Sequence, residues 1–231
     1  MTRVSKSPEE RRGELIAAAQ QLFFQKGYEN TSISDITKTV GVAKGTFYYH
    51  FESKDDVLAA LVDVLTAQAI AVMDEIVEDT SLSAVEKWQL AFQTTGAWKT
   101  ARKEELVAIL RVMHSPGNDL LRQRIARAAV EQTAQEIAKI IRQGVEEGVF
   151  DVELVEETAR IAMLIMRSVS DYLADLLLRP DEYENHFTLA RRKVQAIQSS
   201  VERVLGAEPG TLPLLDDATL GEWFSNGSAS P

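Results

Sequence analysis

Cysteine is absent from the 231 residues, and glycine and proline are sparse, with 12 and 6 residues. The lack of cysteine excludes a disulfide framework and a thiol nucleophile, and it agrees with a reducing cytoplasm. No stretch shows the apolar–polar alternation of a β-strand, whereas apolar residues recur at helical spacing along most of the chain. The sequence therefore predicts an all-α, cytoplasmic protein.

The signatures of an enzyme are also missing. The three histidines, His50, His114 and His186, are far apart in sequence, and none stands at metal-ligand spacing from another. The chain has no Gly-x-Ser-x-Gly elbow, no phosphate-binding P-loop and no dinucleotide-binding glycine pattern. We expect no catalytic residue, no metal and no cofactor, and these absences argue against an enzyme.

A membrane-spanning segment is not expected either. We identify residues 161–178 as the most apolar long run of the chain. Arg167, Asp171 and Asp175 interrupt this run, which favours a buried helix over a membrane span. The first residues, MTRVSKSPEERR, lack the apolar core of a signal peptide.

Charge is distributed unevenly along the chain, whose formal net charge is −10. Residues 1–54 hold eight Lys or Arg against six Asp or Glu, so the acidic excess lies entirely after this segment. A mildly basic N-terminal part is compatible with DNA, because attraction to phosphates depends on the local face and not on the total charge.

The most informative stretch is residues 31–54, TSISDITKTVGVAKGTFYYHFESK. Ser32 is a helix cap with Asp35 in the first turn, and apolar residues at helical spacing follow until Gly41 ends the helix. A second short helix follows, with Phe47 and Phe51 one turn apart for the core. This pattern predicts a helix-turn-helix that enters the DNA major groove. The residues left to face outward are Lys44, Gly45, Thr46, Tyr48, Tyr49 and His50.

These residues carry a resemblance to a known family. The segment GVAKGTFYYHFESKDDVL, preceded by LIAAA, LF and GY at residues 15–28, resembles the signature of the tetracycline-repressor (TetR) family of bacterial one-component regulators. The similarity covers roughly residues 10–60. The resemblance implies an N-terminal three-helix DNA-binding domain and a larger helical domain for ligand binding and dimerisation.

The resemblance also implies roles for the outward-facing residues. Lys44 and Tyr48 are expected to meet base edges, and Gly45 to let the backbone approach the DNA closely. Contacts to phosphates are expected from Thr31, Ser32, Tyr49, His50 and Lys54. Ala43 departs from the common family pattern, in which serine is frequent, and this removes one expected phosphate contact.

The rest of the chain is expected to be helical. We predict helices at about 8–26, 54–78, 84–98, 103–114, 119–147, 152–179 and 181–205. The predicted domains are residues 1–53 for DNA binding and 54–205 for ligand binding and dimerisation, with a flexible tail at 206–231. Docking of that tail through its apolar residues is the alternative. A homodimer is expected through an apolar stripe on the last two long helices, formed by Leu164, Val169, Leu173, Leu177, Val194, Ile197 and Val201.

Candidate ligand-binding residues are aromatic, thioether and imidazole side chains in the second domain: Trp88, Phe92, Trp98, Met113, His114, Met166 and Tyr172. Each of them also suits an ordinary core. The function predicted is a ligand-responsive regulator, usually a repressor in this family, released from a palindromic double-stranded operator by a small, largely apolar effector. The alternative is a ligand-independent DNA-binding protein whose second domain is a filled core.

Overall fold

The computed structural model describes residues 6–224, and within these residues all regular structure is helical, without a β-strand. This confirms the all-α prediction. The helices are α1 (Pro8–Lys26), α2 (Ile33–Val40), α3 (Lys44–His50), α4 (Lys54–Glu78), α5 (Ala84–Thr100), α6 (Lys103–Met113), α7 (Asp119–Glu146), α8 (Val155–Leu178), a 3-10 turn (Pro180–Glu182), α9 (His186–Leu205) and α10 (Asp217–Phe224).

The chain divides into two compact units. The first consists of the described residues up to Thr66 together with Ala108–Ile125, and the second of Ala67–Val107 together with the described residues from Ala126 onward. α1, α2 and α3 lie wholly in the first unit, and α5, α8, α9 and α10 lie wholly in the second. The functional domain boundaries at residues 53 and 205 remain predictions.

Side-chain caps fix where three of the helices begin. Ser7, Ser32 and Ser83 each accept the backbone N–H three residues further on, and the acidic residue at that position accepts the N–H of the serine. Such capping boxes satisfy two of the backbone donors that a helix start leaves without a partner. The box formed by Ser83 and Glu86 sets the start of α5.

The core of the first unit joins the helix-turn-helix to the helices around it. Leu15 and Ala19 of α1 are fully buried, as are Ile36 of α2 and Phe47 of α3. The edge of the Tyr28 ring meets the Phe23 ring, with a distance of 4.9 Å between ring centroids. Because these side chains are apolar at helical spacing, α2 and α3 are held on α1 with their remaining faces directed outward.

α4 is continuous across the division between the units. Val57, Leu58 and Leu61 are buried in the first unit, and Met73 and Val77 are buried in the second. Among the described helices, α4 is long and apolar enough to cross a membrane, and its most apolar 18 residues have a mean hydropathy of 1.8. It is therefore more apolar than residues 161–178, and the reading of that segment as the most apolar run was wrong. A buried core helix passes the same test of length and composition.

The second unit has a continuous apolar core that includes Trp88, Ile137, Ile141 and Val201. Gly144 lies against the Phe150 ring so closely that an added Cβ would stand 2.1 Å from a ring carbon. This close approach allows the chain after α7 to fold back with Phe150 buried.

Four residues of the predicted dimer stripe belong to this core. Val169, Val194, Ile197 and Val201 are at most 8% exposed within a single chain. They pack on their own chain, and the expectation that they face a partner is corrected. Leu164 differs from them, because half of its side chain is exposed.

The segment after α9 packs on the rest of the second unit as far as Phe224. The buried Glu202 carboxylate accepts the backbone N–H groups of Gly210 and Leu212, at 2.9 and 3.1 Å. The Trp223 indole donates to the Thr100 hydroxyl at 2.8 Å. The segment also buries four apolar side chains, Leu212, Leu214, Leu220 and Phe224. The expectation of a flexible tail is thus corrected for residues 206–224, and residues 225–231 lie outside the described residues.

Candidate nucleic-acid interface and effector residues

The turn between α2 and α3 is fixed by Gly41, which has a φ of 74° and ψ of 36°. This left-handed conformation suits glycine, because other residues meet a steric cost there. α3 then begins at Lys44 after Ala43, which makes no side-chain cap. Because position 43 lacks a serine hydroxyl, no side chain caps the first backbone N–H groups of α3. These N–H groups are therefore open to an acceptor from outside the chain.

α3 buries one side and exposes the other. Phe47 is fully buried, and its ring centroid lies 5.7 Å from that of Phe51. The side chains of Tyr48 and Tyr49 are 58% and 73% exposed, and Lys44 and Gly45 are exposed beside them. Both tyrosines therefore stand on the outer side, as expected from the sequence.

Thr46 and His50 are half-buried. The His50 ring meets the Tyr49 ring edge-on, with 4.8 Å between their centroids. This contact holds the two side chains together at the C-terminal end of α3, so that the two residues form one edge of the outward face.

The start of α2 is polar, but its two hydroxyls differ in accessibility. Ser32 is exposed and donates its hydroxyl to Asp35 at 2.7 Å. Thr31 is only 2% exposed, and its hydroxyl donates to the Gly27 carbonyl at 2.8 Å. Ser32 is therefore accessible to a phosphate, which would compete with Asp35 for its hydroxyl, whereas the Thr31 side chain shapes the turn before α2.

Asp35 is the most strongly stabilised carboxylate of this region. Its hydrogen bond with Lys26 lowers its pKa well below the usual range, and hydrogen bonds from Ser32 act in the same direction. Lys26 and Asp35 lie 2.8 Å apart. Because Asp35 neutralises Lys26, that lysine adds less to the attraction of phosphates than its exposure suggests.

Lys54 is tied to the protein as well as being basic. Its ammonium donates to the Tyr28 carbonyl at 2.7 Å and lies 4.0 Å from the centre of the Tyr28 ring. The Tyr28 hydroxyl donates to Asp55. Burial of Tyr28 is the main cause that raises its pKa, and the hydrogen bond to Asp55 acts in the same direction. Lys54 thus anchors the start of α4 beneath the helix-turn-helix, and a phosphate would compete for an ammonium that already has one partner.

Further cations lie in this region beyond those selected from sequence. Lys38 and Lys44 are exposed, and within residues 6–224 neither forms an ion pair with a carboxylate. Arg12 lies over the Phe51 ring, 5.1 Å from its centroid. Lys38 was not predicted as a contact, although its exposed position on α2 follows from the spacing of the apolar residues around it.

The candidate effector residues fall in different units. Met113 and His114 lie in the first, where the His114 ring is 3.1 Å from the Arg122 guanidinium. The others lie in the second unit and differ in burial. Trp88 and Met166 are buried, whereas Phe92, Trp98 and Tyr172 are half-buried. Arg102 lies over the Trp98 ring, and Lys193 over the Tyr172 ring.

Comparison with known proteins adds independent support. Residues 15–61 match the model of bacterial regulatory proteins of the tetR family, and residues 106–187 match a tetracyclin repressor-like C-terminal domain. The first four curated relatives are matched over only 25–33% of their own length. The HTH-type transcriptional repressor DhaR of Mycobacterium sp. (strain GP1) is 29% identical over 59% of this chain and 68% of its own.

Solved structures share the fold. A TetR-family transcriptional regulator from Pectobacterium atrosepticum has a TM-score of 0.62 at 20% identity, covering 90% of this chain and 100% of its own. The regulator FadR from Bacillus subtilis, solved in complex with stearoyl-CoA, has a TM-score of 0.56 at 22% identity, covering 80% of this chain and 96% of its own.

α3 presents an outward face on a three-helix core, and a larger helical unit follows in the chain. This arrangement is that of a helix-turn-helix regulatory protein. The chain belongs to the TetR family, since both its N-terminal and its C-terminal parts match models of that family.

Proposed function

We propose that this protein is a ligand-responsive transcriptional regulator, a repressor that a small effector releases from a palindromic operator. The observation that carries the proposal is the α3 face, where Lys44 has no ion pair in the described chain and stands beside two exposed tyrosines. An exposed cation and aromatic hydroxyls on a short helix suit the major groove. The similarity to the repressor DhaR supports the sign of regulation.

The division of labour on DNA follows from the same geometry. Lys44 and Tyr48, one helical turn apart, are assigned to base edges. Tyr49, His50 and Ser32 are assigned to phosphates, and Lys54 contributes its charge while bonded to Tyr28. Thr31 is left out of the phosphate contacts, because its hydroxyl donates to the Gly27 carbonyl and its backbone N–H donates to the Tyr28 carbonyl.

A dimer is part of the proposal, since one α3 helix covers only a few base pairs. The exposed apolar side chains Leu154, Ile161 and Leu164, at 65%, 49% and 50%, recur at helical spacing around the start and middle of α8. Apolar exposure of this kind along one helix favours pairing with a second copy. We therefore assign the dimer contact to this line on α8, in place of the valines that pack inside the chain.

The alternative is a regulator whose second unit binds nothing. It is favoured by the complete burial of Trp88 and the burial of Met166, both within one apolar core. In support of an effector, the structurally similar FadR was solved with stearoyl-CoA bound. A catalytic role has no supporting observation, and the proposed place of action is the cytoplasm.

Selection of bound duplexes from a random pool tests the first half of the proposal. We expect an enriched palindrome whose half-sites are about one or more helical turns apart. Compounds that raise the melting temperature of the protein are then titrated against the protein with and without that duplex. Since coupling is reciprocal, an effector must be weakened by DNA by the factor with which it weakens DNA binding. Equal affinity for every such compound in both titrations would favour the ligand-independent alternative.

A further inference from the structure

One line of side chains along α5 differs from the rest of the second unit. Trp88, Phe92, Thr95 and Lys99 follow one another at spacings of four, three and four residues, which places them on one face of the helix. The Phe92 ring is stacked on the Trp88 ring, with centroids 4.8 Å apart and planes inclined by 29°. Aromatic surface at one end of this line is therefore followed by polar groups toward the other.

Two polar atoms on this line have no partner. The Trp88 indole nitrogen and the Thr95 hydroxyl are both buried and form no hydrogen bond within the described residues. Other helical hydroxyls behave differently, since those of Thr39 and Ser200 donate to the carbonyl four residues earlier. Buried polar groups without partners are costly and uncommon, and they are concentrated at functional sites.

Lys99 combines two properties that rarely occur together. Its side chain is exposed, yet loss of solvation lowers the pKa of its ammonium. Protein atoms around the ammonium therefore displace water from it without closing it off from solvent. In the part of the chain described, it forms neither an ion pair nor a hydrogen bond.

The neighbouring lysines of the same unit show the contrast. Lys87 donates to the Val77 carbonyl at 2.5 Å, and Lys103 donates to the Glu222 carbonyl at 2.6 Å. Lys139 pairs with Glu136 and Glu78, at 2.7 and 3.2 Å. A desolvated cation without any such partner is best stabilised by an anion from outside the chain.

We propose that this face of α5 binds an amphiphilic anion, with its carboxylate or phosphate on Lys99 and its apolar part along Phe92. This inference rests on the proposed function, because it assigns the chemical class of the effector. Lys99 lies seven residues after Phe92, a rise of about 10 Å, so the apolar part must be a chain or fused rings of about that length. Thr95, one turn before Lys99, offers a hydroxyl near the anionic group.

The proposal changes what is expected of the effector. The candidate residues chosen from sequence were aromatic and thioether side chains, and they indicated a largely apolar molecule with one or two polar groups. Lys99 adds a specific requirement, since an uncharged molecule of the same shape would leave the ammonium without a counter-charge. Affinity should therefore depend on the anionic group and on Lys99 together.

Calorimetric titration of the full chain without DNA tests the pairing of Lys99 with an anion. The probes are decanoate, decyl phosphate and decan-1-ol, which share one tail and differ in the head group. We expect at least one of the two anions to bind, and Lys99→Met to weaken it at least tenfold. Lys99→Arg should retain most of the affinity. The matched control Lys139→Met, which removes an ion-paired lysine of the same unit, should leave the affinity unchanged.

The comparison of the two anions shows whether a carboxylate or a phosphate is preferred. If Lys99→Met is unstable, Lys99→Gln replaces it, since it keeps a polar side chain of similar length. The proposal is overturned if both anions bind Lys99→Met as tightly as the unmodified protein, or if neither anion binds at all. It is overturned equally if decan-1-ol loses as much affinity in Lys99→Met as the anions do.

These titrations are independent of the regulatory role. If an anion binds through Lys99 but leaves operator affinity unchanged, the assigned site stands and effector-controlled release fails. If operator binding responds to another compound while Lys99→Met has no effect on either anion, regulation stands and the assignment of Lys99 fails. The two failures are thus distinguishable in one set of proteins.

Discussion

The Lys54 ammonium donates to the Tyr28 carbonyl at 2.7 Å and lies over the same residue's ring, 4.0 Å from its centre. This contact joins the first residue of α4 to the turn between α1 and α2. The residue expected to contact phosphates is therefore also part of the scaffold that sets the position of the helix-turn-helix.

Lys54→Ala should lower both stability and DNA affinity. The lost hydrogen bond to the Tyr28 carbonyl should cost about 1–2 kcal/mol in the free energy of unfolding. Binding to all duplexes should weaken, with a salt dependence reduced by about one phosphate contact. Urea unfolding measures the first effect. The control is Lys44→Ala, whose exposed side chain makes no ion pair in the described structure, and unchanged stability in both variants would contradict the scaffold role.

Gly45→Ala tests whether the glycine is required for stability or for DNA binding. A Cβ at position 45 would have no atom within 4 Å, so nothing in the described chain requires a glycine there. Alanine should stabilise α3 by up to about 1 kcal/mol through its higher helix propensity. We expect operator affinity to fall all the same, because the added methyl group would stand between the backbone and the DNA. A variant that melts at a higher temperature and binds as tightly would refute the close approach.

The cap of α2 predicts a specific dependence on pH. The native pKa of Asp35 is lowered, with Lys26 as the main cause, so its contribution to stability is fully present above the unfolded pKa of about 3.9. That contribution should disappear as the pH falls further, through the native pKa. The melting temperature of Asp35→Asn should therefore lie below that of the unmodified protein at pH 7, and the difference should shrink below about pH 4. A difference independent of pH between 7 and 3 would show that the charge of Asp35 is not involved.

The dimer contact can be tested on α8. Leu164→Glu places a charge on the exposed apolar line and should convert the dimer to a monomer in light scattering at micromolar concentration. The matched control is Leu120→Glu, because Leu120 is 81% exposed on α7 and lies outside that line. A monomeric unmodified protein, or a dimer that survives Leu164→Glu, would remove α8 from the interface.

The helix-turn-helix and most of the helix bounds were predictable because their signals are local. The last long helix was predicted from residue 181, whereas α9 begins at His186 after a 3-10 turn. Ser32 and Gly41 mark the ends of α2, and Phe47 fixes which side of α3 is buried. Burial of the Thr31 hydroxyl was not predictable, since it depends on the path of the chain at Gly27. The same holds for Val194 and Val201, because an apolar stripe suits a partner and a chain's own core equally well.

The C-terminal segment and Lys99 show a second limit. Gly, Pro and Ser clusters after residue 205 are typical of a flexible chain, and nothing local shows that Glu202 captures two backbone N–H groups there. Lys99 reads in sequence as an ordinary exposed lysine near the end of α5. Its lack of a partner and its desolvation depend on atoms that are distant along the chain, so only the folded structure reveals them.

The most direct test of the account is fluorescence anisotropy with the selected duplex and with a scrambled duplex of the same length. For the unmodified protein we predict a clear preference for the selected sequence. Lys44→Ala should lose about 1–3 kcal/mol of binding free energy on the selected duplex and much less on the scrambled one. The difference in affinity between the two duplexes should therefore become smaller. Equal binding of both duplexes by the unmodified protein, or an equal loss on both in Lys44→Ala, would contradict the assignment of α3 as the element that reads the bases.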